Sequence, residues 1–165
     1  MEITIRKGTP DEVEVFLTFT HEVQDAMADT AWFALDPDEE LRELTEDGSM
    51  EFWMAEAGDR LAAVFSIICP GLRDFNLGCE IGLTEAELLR VTHMDTAAVH
   101  PDFRGRGLQR KMMFEAEKAL NGRILLCTIH PDNRFSLQNA LILGYRIEKR
   151  VARYGSVRYI LRKDI

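Results

Sequence analysis

A glycine-punctuated segment has the clearest chemical meaning in this chain. Residues 94–109 read Met-Asp-Thr-Ala-Ala-Val-His-Pro-Asp-Phe-Arg-Gly-Arg-Gly-Leu-Gln and run from a predicted strand into a predicted helix. Gly105 and Gly107 remove side chains where a phosphate must approach the main chain, and the helix that begins near Leu108 offers unpaired N–H groups. Two arginines add positive charge, Arg104 and Arg106. The segment predicts a phosphate-binding loop, and a basic surface turn is the alternative for so short a pattern.

Two blocks of sequence together resemble a known family. The first block, Val-x-Pro-x-x-Arg-Gly-x-Gly, begins at Val99. The second comprises His130-Pro131-Asp132-Asn133, then Ser136, Asn139 and Leu143-Gly144-Tyr145. Both blocks resemble, in the same order and with one strand between them, the acyl-CoA-binding segments of the GCN5-related N-acetyltransferase (GNAT) superfamily. The resemblance implies a mixed α/β sheet of the GNAT type, with acetyl-CoA or a related acyl-CoA as cofactor.

The resemblance also implies where the cofactor binds. Its pyrophosphate would lie on the backbone amides of residues 104–109, and its pantetheine arm would run along the exposed strand edge at residues 97–99, as an added strand would. The implied cofactor residues are Ala97, Ala98, Val99, Arg104, Gly105, Arg106, Gly107, Leu108, Gln109, Asn133 and Asn139. Family members usually carry Gly or Ala where this chain has Gln109, but only the backbone amide is needed there. A backbone N–H near Ala98 or Val99 would stabilise the oxyanion.

Acyl transfer to an amine also needs a group that takes the amine proton. A lysine-like amine has a pKa of about 10.4 and is mostly protonated at pH 7. Asp95 lies four residues before Val99, where many relatives carry an acidic residue, and we predict that it is the catalytic base. The alternatives are a water chain, or a structural Asp95 that faces solvent or pairs with an arginine. Glu80 is a second acidic candidate near the acceptor.

The usual general acid of the family is missing from this sequence. Many relatives place a tyrosine seven residues after the motif asparagine to protonate the leaving thiolate, and here that position is Ala140. A thiolate is a fair leaving group at neutral pH, so we expect solvent to protonate it and no tyrosine to be essential. Tyr154 beside a turn is freer to reach a cleft than Tyr145 or Tyr159. The missing acid also makes a non-catalytic acyl-CoA sensor the alternative function.

Other residue types with catalytic potential have simpler interpretations. His93, His100 and His130 lack partners at recognisable spacings, so we predict surface or capping roles and no ligand role. Trp32 and Phe33 fall where the family usually builds its acceptor pocket, and the alternative is that they pack in the core. The three cysteines, Cys69, Cys79 and Cys127, show no CxxC spacing. We therefore expect no disulfide framework and no metal site, with thiols that are reduced and mostly buried.

The bulk properties narrow the class of protein. The chain has 165 residues, 46% of them hydrophobic and 29% charged, which suits one domain over residues 1–165. A net charge of −8 argues against binding to nucleic acid or to a membrane surface. The N-terminus lacks an apolar signal region, so we expect a cytoplasmic protein. A homodimer is compatible with these features.

The pattern of elements agrees with this class. Strands are predicted over residues 3–6, 51–57, 61–69, 91–99, 123–129, 145–153 and 157–162. Helices are predicted after Thr9-Pro10, over residues 38–46, 108–120 and 133–143, with one short helix at the Thr84-Glu85-Ala86-Glu87 capping box. The sequence therefore predicts about seven strands flanked by about four helices. Its predicted function is transfer of an acetyl or short acyl group to a primary amine of a small molecule or peptide.

Overall fold

The computed structural model describes residues 1–165, and its strands follow the predicted order. The strands are β1 (Thr4–Lys7), β2 (Met50–Ala57), β3 (Arg60–Ile68), β4 (Val91–Val99), β5 (Ile124–Ile129), β6 (Arg146–Arg153) and β7 (Ser156–Asp164). The helices are α1 (Val13–Asp25), α2 (Asp38–Glu46), α3 (Glu85–Leu88), α4 (Leu108–Glu117) and α5 (Arg134–Ile142). All seven strands join one mixed sheet in the order β1-β2-β3-β4-β5-β7-β6.

The helix ends show how local chemistry sets the boundaries. Before α1, the carboxylate of Glu12 accepts the N–H of Thr9 at 2.8 Å, as the capping box predicted. Helix α4 stops at Glu117, earlier than the predicted Leu120, because the chain there tightens into bonds three residues apart: the N–H of Leu120 donates to the carbonyl of Glu117 at 3.0 Å. None of the helices combines the length and apolar character required to cross a bilayer.

Helices cover both faces of the sheet and bury its two largest hydrophobic cores. Residues of α4 such as Met112 pack on one face, and residues of α1 and α2 such as Phe16 and Leu41 pack on the other. Both faces are needed because the central strands are apolar on both sides, as the 0–2% exposure of Ala63, Val64 and Phe65 shows. We call these the α4 face and the α1/α2 face.

The sheet opens between β4 and β5. These two strands form the parallel pair of the sheet, and their pairing is confined to Val91–His93 with Ile124–Leu126. Beyond His93, strand β4 has no partner on this side, whereas its other edge stays paired with β3 up to Val99. The separation leaves a wedge in the middle of the sheet, lined on one side by free backbone groups of β4.

A bulge in β4 turns its side chains at the mouth of this wedge. Ile67 pairs with Met94 and Phe65 pairs with Ala97, so Ser66 stands opposite both Asp95 and Thr96. The Ser66 hydroxyl accepts the N–H of Thr96 at 3.2 Å, which satisfies a backbone donor that the bulge removes from the ladder. The extra residue shifts the alternation of side chains, so that Met94 and Ala97 both lie on the α4 face.

Candidate active site

A cavity of about 670 Å³ occupies the wedge and continues to both sides of it. Four parts of the chain surround its two ends: the β4–α4 loop with the start of α4, the end of β5 with the start of α5, the α1–α2 connection, and the β6–β7 turn. Residues of β3, of β4 and of the segment that follows β3 complete its wall. We call the end beside the β4–α4 loop the loop end, and the end between the α1–α2 connection and the β6–β7 turn the acceptor end. The cavity brings together most of the residues that the sequence singled out.

The loop end presents a run of free backbone amides. The N–H of Arg104 donates to Pro101 and that of Lys111 to Gly107, but the six consecutive N–H groups from Gly105 to Arg110 have no acceptor in the protein. Gly107 is the N-cap of α4 and supplies no side-chain cap. Because unpaired amides and the helix dipole both favour negative charge, this loop is suited to bind a phosphate.

Both glycines of the loop are required by its backbone. Gly105 and Gly107 have φ of +76° and +69°, which other residues adopt only with strain. No atom lies within 4 Å of where a Cβ at Gly105 would stand, so the loop surface is open to a bulky anion. Arg104 lines the cavity, whereas the guanidinium of Arg106 lies 5.4 Å from the ring centroid of Phe103, away from it. Arg106 therefore contributes its amide and its long-range charge.

Only alternate residues of β4 direct their backbone N–H and C=O groups to its exposed edge. The N–H of His100 donates to Ala62 at 2.9 Å, and Ala98 pairs with Val64, so the backbone groups of Ala98 face β3. Those of Ala97 and Val99 face the opening. The side chain of Ala98 is 1% exposed and packs on the α1/α2 face. The structure thus corrects the prediction for Ala98, whose amide is used in the sheet, whereas the N–H of Val99 faces the opening.

Polar side chains join the starts of α4 and α5 beside the loop. Gln109 donates to the Ser136 hydroxyl at 3.2 Å, and its Oε1 accepts from Asn139 at 3.2 Å. Asn133 caps α5, with its Oδ1 accepting the N–H of Ser136 at 3.3 Å. All four side chains line the cavity. Gln109, the departure from the family pattern, therefore ties the two helices together at the cavity wall.

Asp95 sits where the wedge meets the acceptor end. Burial raises the pKa of its carboxyl to about 7, and the nearby Asp36 carboxylate adds to the rise. The Thr96 hydroxyl donates to its Oδ2 at 3.1 Å, and no arginine forms an ion pair with it. The partial exposure of Asp95 is in keeping with its place on the cavity wall. The carboxyl is therefore neither fully solvated nor ion-paired, and its pKa lies near neutral pH.

The α1–α2 connection forms an aromatic wall of the acceptor end. The Asp29 carboxylate accepts the N–H of Ala31 at 2.9 Å and starts a short 3-10 turn, Thr30–Trp32. Gln24 of α1 donates to the carbonyl of Phe33 at 3.0 Å and ties the connection down. Trp32 and Phe33 both line the cavity and are only half-buried, and Phe33 also packs against the α1/α2-face core.

Several cavity residues had no role in the sequence-based prediction. They are Asp36, Glu40, His93, Arg153 and Arg158. Arg158 could have been found from the sequence, because it lies on the same inward side of β7 as Ile160. A charged residue at an inward position of a strand often has a function. No sequence pattern indicated Asp36 or Arg153. They reach the cavity because the α1–α2 connection and the β6–β7 turn fold over it.

Other predicted candidates lie outside the site or play simpler parts. Glu80 is exposed, and its backbone carbonyl accepts from Lys149 at 2.7 Å, so the structure does not bring its side chain to the cavity. Ala140 is 0% exposed in the α4-face core, with no hydroxyl at that position. His100 and His130 accept the N–H two residues onward at 3.1 Å, as capping residues do. The predicted surface or capping role is wrong for His93, which is 5% exposed on an inner strand and lines the cavity.

The cysteines and the tyrosines differ in burial and in whether they line the cavity. Cys127 is buried on the cavity wall and burial raises its pKa to about 12, whereas Cys79 is exposed, contrary to the expectation of a buried residue. Tyr145 is 3% exposed and donates to Glu117 at 2.8 Å. Tyr159 packs against the α4-face core, so Tyr154 is the tyrosine that lines the cavity.

Comparison with known proteins identifies the family. The model of the acetyltransferase (GNAT) family matches residues 18–145. The fold is similar to Arabidopsis thaliana NAA60 in complex with acetyl-CoA (14% identity, TM-score 0.71, 99% of each chain covered). It is also similar to the Thermoplasma acidophilum paia N-acetyltransferase in complex with coenzyme A (14%, 0.67, 100% of each chain). A GNAT-family acetyltransferase from Streptococcus pneumoniae is a further neighbour (15%, 0.71, 99% of this chain and 100% of that one).

A search of curated proteins gave no match. At these identities the solved structures establish the fold, and they confirm the predicted seven-stranded mixed sheet. The family match spans well over half of the chain and contains the glycine loop, the opened strand and Asp95. This chain belongs to the GNAT acetyltransferase family.

Proposed function

We propose that this protein transfers an acetyl or short acyl group from acyl-CoA to a primary amine of a small molecule or peptide. The observation that carries the proposal is the position of Asp95, a carboxylate with a raised pKa between a phosphate-binding loop and an aromatic acceptor pocket. We expect the protein to act in the cytoplasm, where acyl-CoA is available.

The loop end has the features that an acyl-CoA needs. The free amides of Gly105–Arg110 would hold the pyrophosphate, and the backbone groups of Ala97 and Val99 would pair with the pantetheine amides as a neighbouring strand does. Gly105 and Gly107 leave the approach to these amides open. Two structural neighbours bind acetyl-CoA and coenzyme A with the same fold, which supports this assignment.

Asp95 would take the proton that the amine loses. As the amine nitrogen bonds to the thioester carbonyl carbon, its N–H proton passes to the Asp95 carboxylate directly or through one water. A carboxylate with a pKa of about 7 is a stronger base than an ordinary aspartate and is still substantially ionised at neutral pH. Burial and Glu40 raise the pKa of Asp36 as well, whereas Arg153 lowers it, so a protonated amine is favoured beside the two carboxyls of Asp36 and Asp95.

The remaining parts of the step fall to the backbone and to solvent. The N–H of Val99 faces the opening and would stabilise the negative charge that develops on the carbonyl oxygen. The C–S bond then breaks and the thiolate leaves. Because Ala140 supplies no hydroxyl, the thiolate takes its proton from water.

A non-catalytic acyl-CoA sensor is the second candidate, and Ala140 is the observation that favours it. Release of free thiol from acetyl-CoA separates the two functions, because an enzyme releases thiol when an amine is present and a sensor only binds. We would screen primary amines with the whole chain and compare each with an Asp95→Asn sample. Amine-dependent release that is slower in Asp95→Asn supports transfer with Asp95 as the base, whereas tight acetyl-CoA binding without release for any amine supports the sensor.

A further inference from the structure

One corner of the acceptor end gathers hydrogen-bond donors instead of acids. His93 is 5% exposed, and its Nε2 accepts the N–H of Leu77 at 3.0 Å. The single proton of the neutral ring is therefore on Nδ1, which has no partner in the protein although the ring lines the cavity. Burial lowers the pKa of His93 to about 3, with Arg153 adding to the effect, so the ring stays neutral and keeps this tautomer.

Two arginines in the same region lack acidic partners. Arg153 donates from one Nη to the carbonyl of Phe75 at 3.2 Å, and Phe75 in turn packs edge-on against His93 at 6.1 Å between ring centroids. The Nε of Arg153 is buried and has no partner. Arg158 is 5% exposed and donates only to uncharged oxygens, those of Thr128 and Ala31. Neither guanidinium forms a direct ion pair, and the nearest acidic group, Asp36, interacts with Arg153 only through space.

A strained turn holds Tyr154 between these arginines. Tyr154 is the one non-glycine residue with positive φ, at +55°, and Gly155 follows at +74°. Such a two-residue hairpin turn favours asparagine or glycine, and a tyrosine there is strained. Its ring centroid lies 5.4 Å from the Arg153 guanidinium and 5.6 Å from that of Arg158. The turn therefore places a phenol beside two cations at the cavity.

We infer that the acceptor is a small zwitterion, an amino acid or a similar aminocarboxylate, whose carboxylate binds His93 Nδ1–H and Arg153 while its amine faces Asp95. This inference rests on the proposed function. His93 and Asp95 lie two residues apart on the same face of β4, and that spacing of about 7 Å suits the amine and carboxylate of one small molecule. Tyr154 and Arg158 complete the anion-binding corner.

Other amine classes fit this arrangement less well. A polyamine would place a second cation against the two guanidiniums, which repel it. A peptide N-terminus carries a neutral amide where the His93 and arginine donors favour a carboxylate. The remaining wall beside the aromatic residues is apolar, with Val23 and Met27. An acceptor with an apolar side chain therefore matches the three surfaces of the pocket: acidic, cationic and apolar.

Product binding tests the inference without requiring turnover. We would titrate the CoA-saturated protein by calorimetry with a panel of N-acetyl amino acids and with the carboxamide of each. We expect at least one acid to bind about 30-fold or more tightly than its amide, because a charge-assisted pair is lost in the amide. Arg153→Gln should reduce that preference to within about threefold. Arg150→Gln removes a charge from the same strand outside the cavity and should preserve it.

Equal binding of every acid and its amide, or no binding of any acid, overturns the inference. A thiol-release assay with free amino acids and their amides then separates this outcome from failure of the proposed function. Release with amides as fast as with acids overturns the zwitterion assignment but keeps the transferase. Selective binding of acids with no release for any amine supports the anion-binding corner and removes the transferase.

Discussion

The two ends of the cavity recognise their ligands with different parts of the chain. The loop end uses the backbone amides of one contiguous segment, Gly105–Arg110, and needs open space above them. The acceptor end uses side chains from separate segments, among them Asp36, Asp95 and Arg153. A site made of backbone tolerates a change of side chain but not an added Cβ, whereas a site made of side chains depends on the identity of each one.

The largest effect is expected from a bulky residue in the loop. Gly107→Val should reduce CoA affinity by about 100-fold or more, because φ is +69° and a branched Cβ would stand over the free amides. Calorimetry with CoA measures the loss. Gly48→Val is the matched control, since Gly48 has φ of +84° and lies outside the cavity. If Gly107→Val binds CoA as tightly as the parent, the loop does not hold the phosphates.

A change at the acceptor end should act on turnover and spare CoA. Asp95→Asn is expected to lower turnover by about tenfold or more while CoA affinity stays nearly unchanged. Because the base must be ionised, kcat/KM of the parent should rise with pH through about 7, the pKa of Asp95, and the variant should lose that rise. Glu39→Gln, on the exposed side of α2, serves as the control. Parallel losses of rate and folding stability would indicate a structural role.

The same substitution should stabilise the fold at high pH. The pKa of Asp95 in the folded state, about 7, is above the ordinary 3.8, so folding favours its protonated form and loses stability as pH rises from 4 to 7. The full difference corresponds to at most about 4 kcal/mol, and cavity water reduces it, so we expect Asp95→Asn to gain about 1–2 kcal/mol at pH 8 relative to pH 5. Urea unfolding of both proteins at each pH measures this. A difference that is the same at both pH values would contradict the raised pKa.

A smaller effect is expected at Tyr154, because no phenol is needed to protonate the thiolate. Tyr154→Phe should keep turnover within about tenfold of the parent, and its main effect should be a higher KM for the acceptor. Steady-state kinetics with a cognate acceptor separate the two constants. A hundredfold loss of turnover with CoA binding intact would instead make Tyr154 the general acid.

The smallest effect is expected from Gln109→Ala. This change restores a residue that the family usually carries, and it leaves the backbone amide in place. It removes the bonds to Ser136 and Asn139, so a stability loss of about 1 kcal/mol should accompany a CoA affinity within about threefold of the parent. A large loss of affinity would show that this end also depends on a side chain.

The contrast between the two ends explains what the sequence could predict. The loop was recognisable because glycines, cations and a helix start lie within a few residues, and its function follows from backbone geometry. The strand order followed from periodicity and from the glycine stops. Asp95 was proposed through the resemblance, but its raised pKa comes first from burial by distant parts of the chain and then from Asp36, which is far away in sequence.

Features that depend on tertiary context escaped prediction. The wedge between β4 and β5 and the bulge opposite Ser66 have no local signature, and they decide that Ala97 and Val99 face the opening while Ala98 does not. Glu80 was predicted to lie near the acceptor, but the segment between β3 and β4 folds so that its side chain is exposed. Arg153 and Tyr154 reach the cavity because a hairpin brings them there.

Because the pairing of β4 with β5 is short, the sheet consists of two groups of paired strands, here called ladders, β1–β4 and β5–β7. They join along one line, the seam between β4 and β5. Only Val91–His93 and Ile124–Leu126 join the four strands on one side to the three on the other. Without ligand, the amides of Ala97 and Val99 have no acceptor across the seam and should exchange hydrogen rapidly, although their neighbours in β3 and β4 are protected. A bound pantetheine arm would take the place of the missing rungs. Cofactor binding should therefore slow exchange in both ladders at once, so that the ligand becomes part of the unit that unfolds cooperatively.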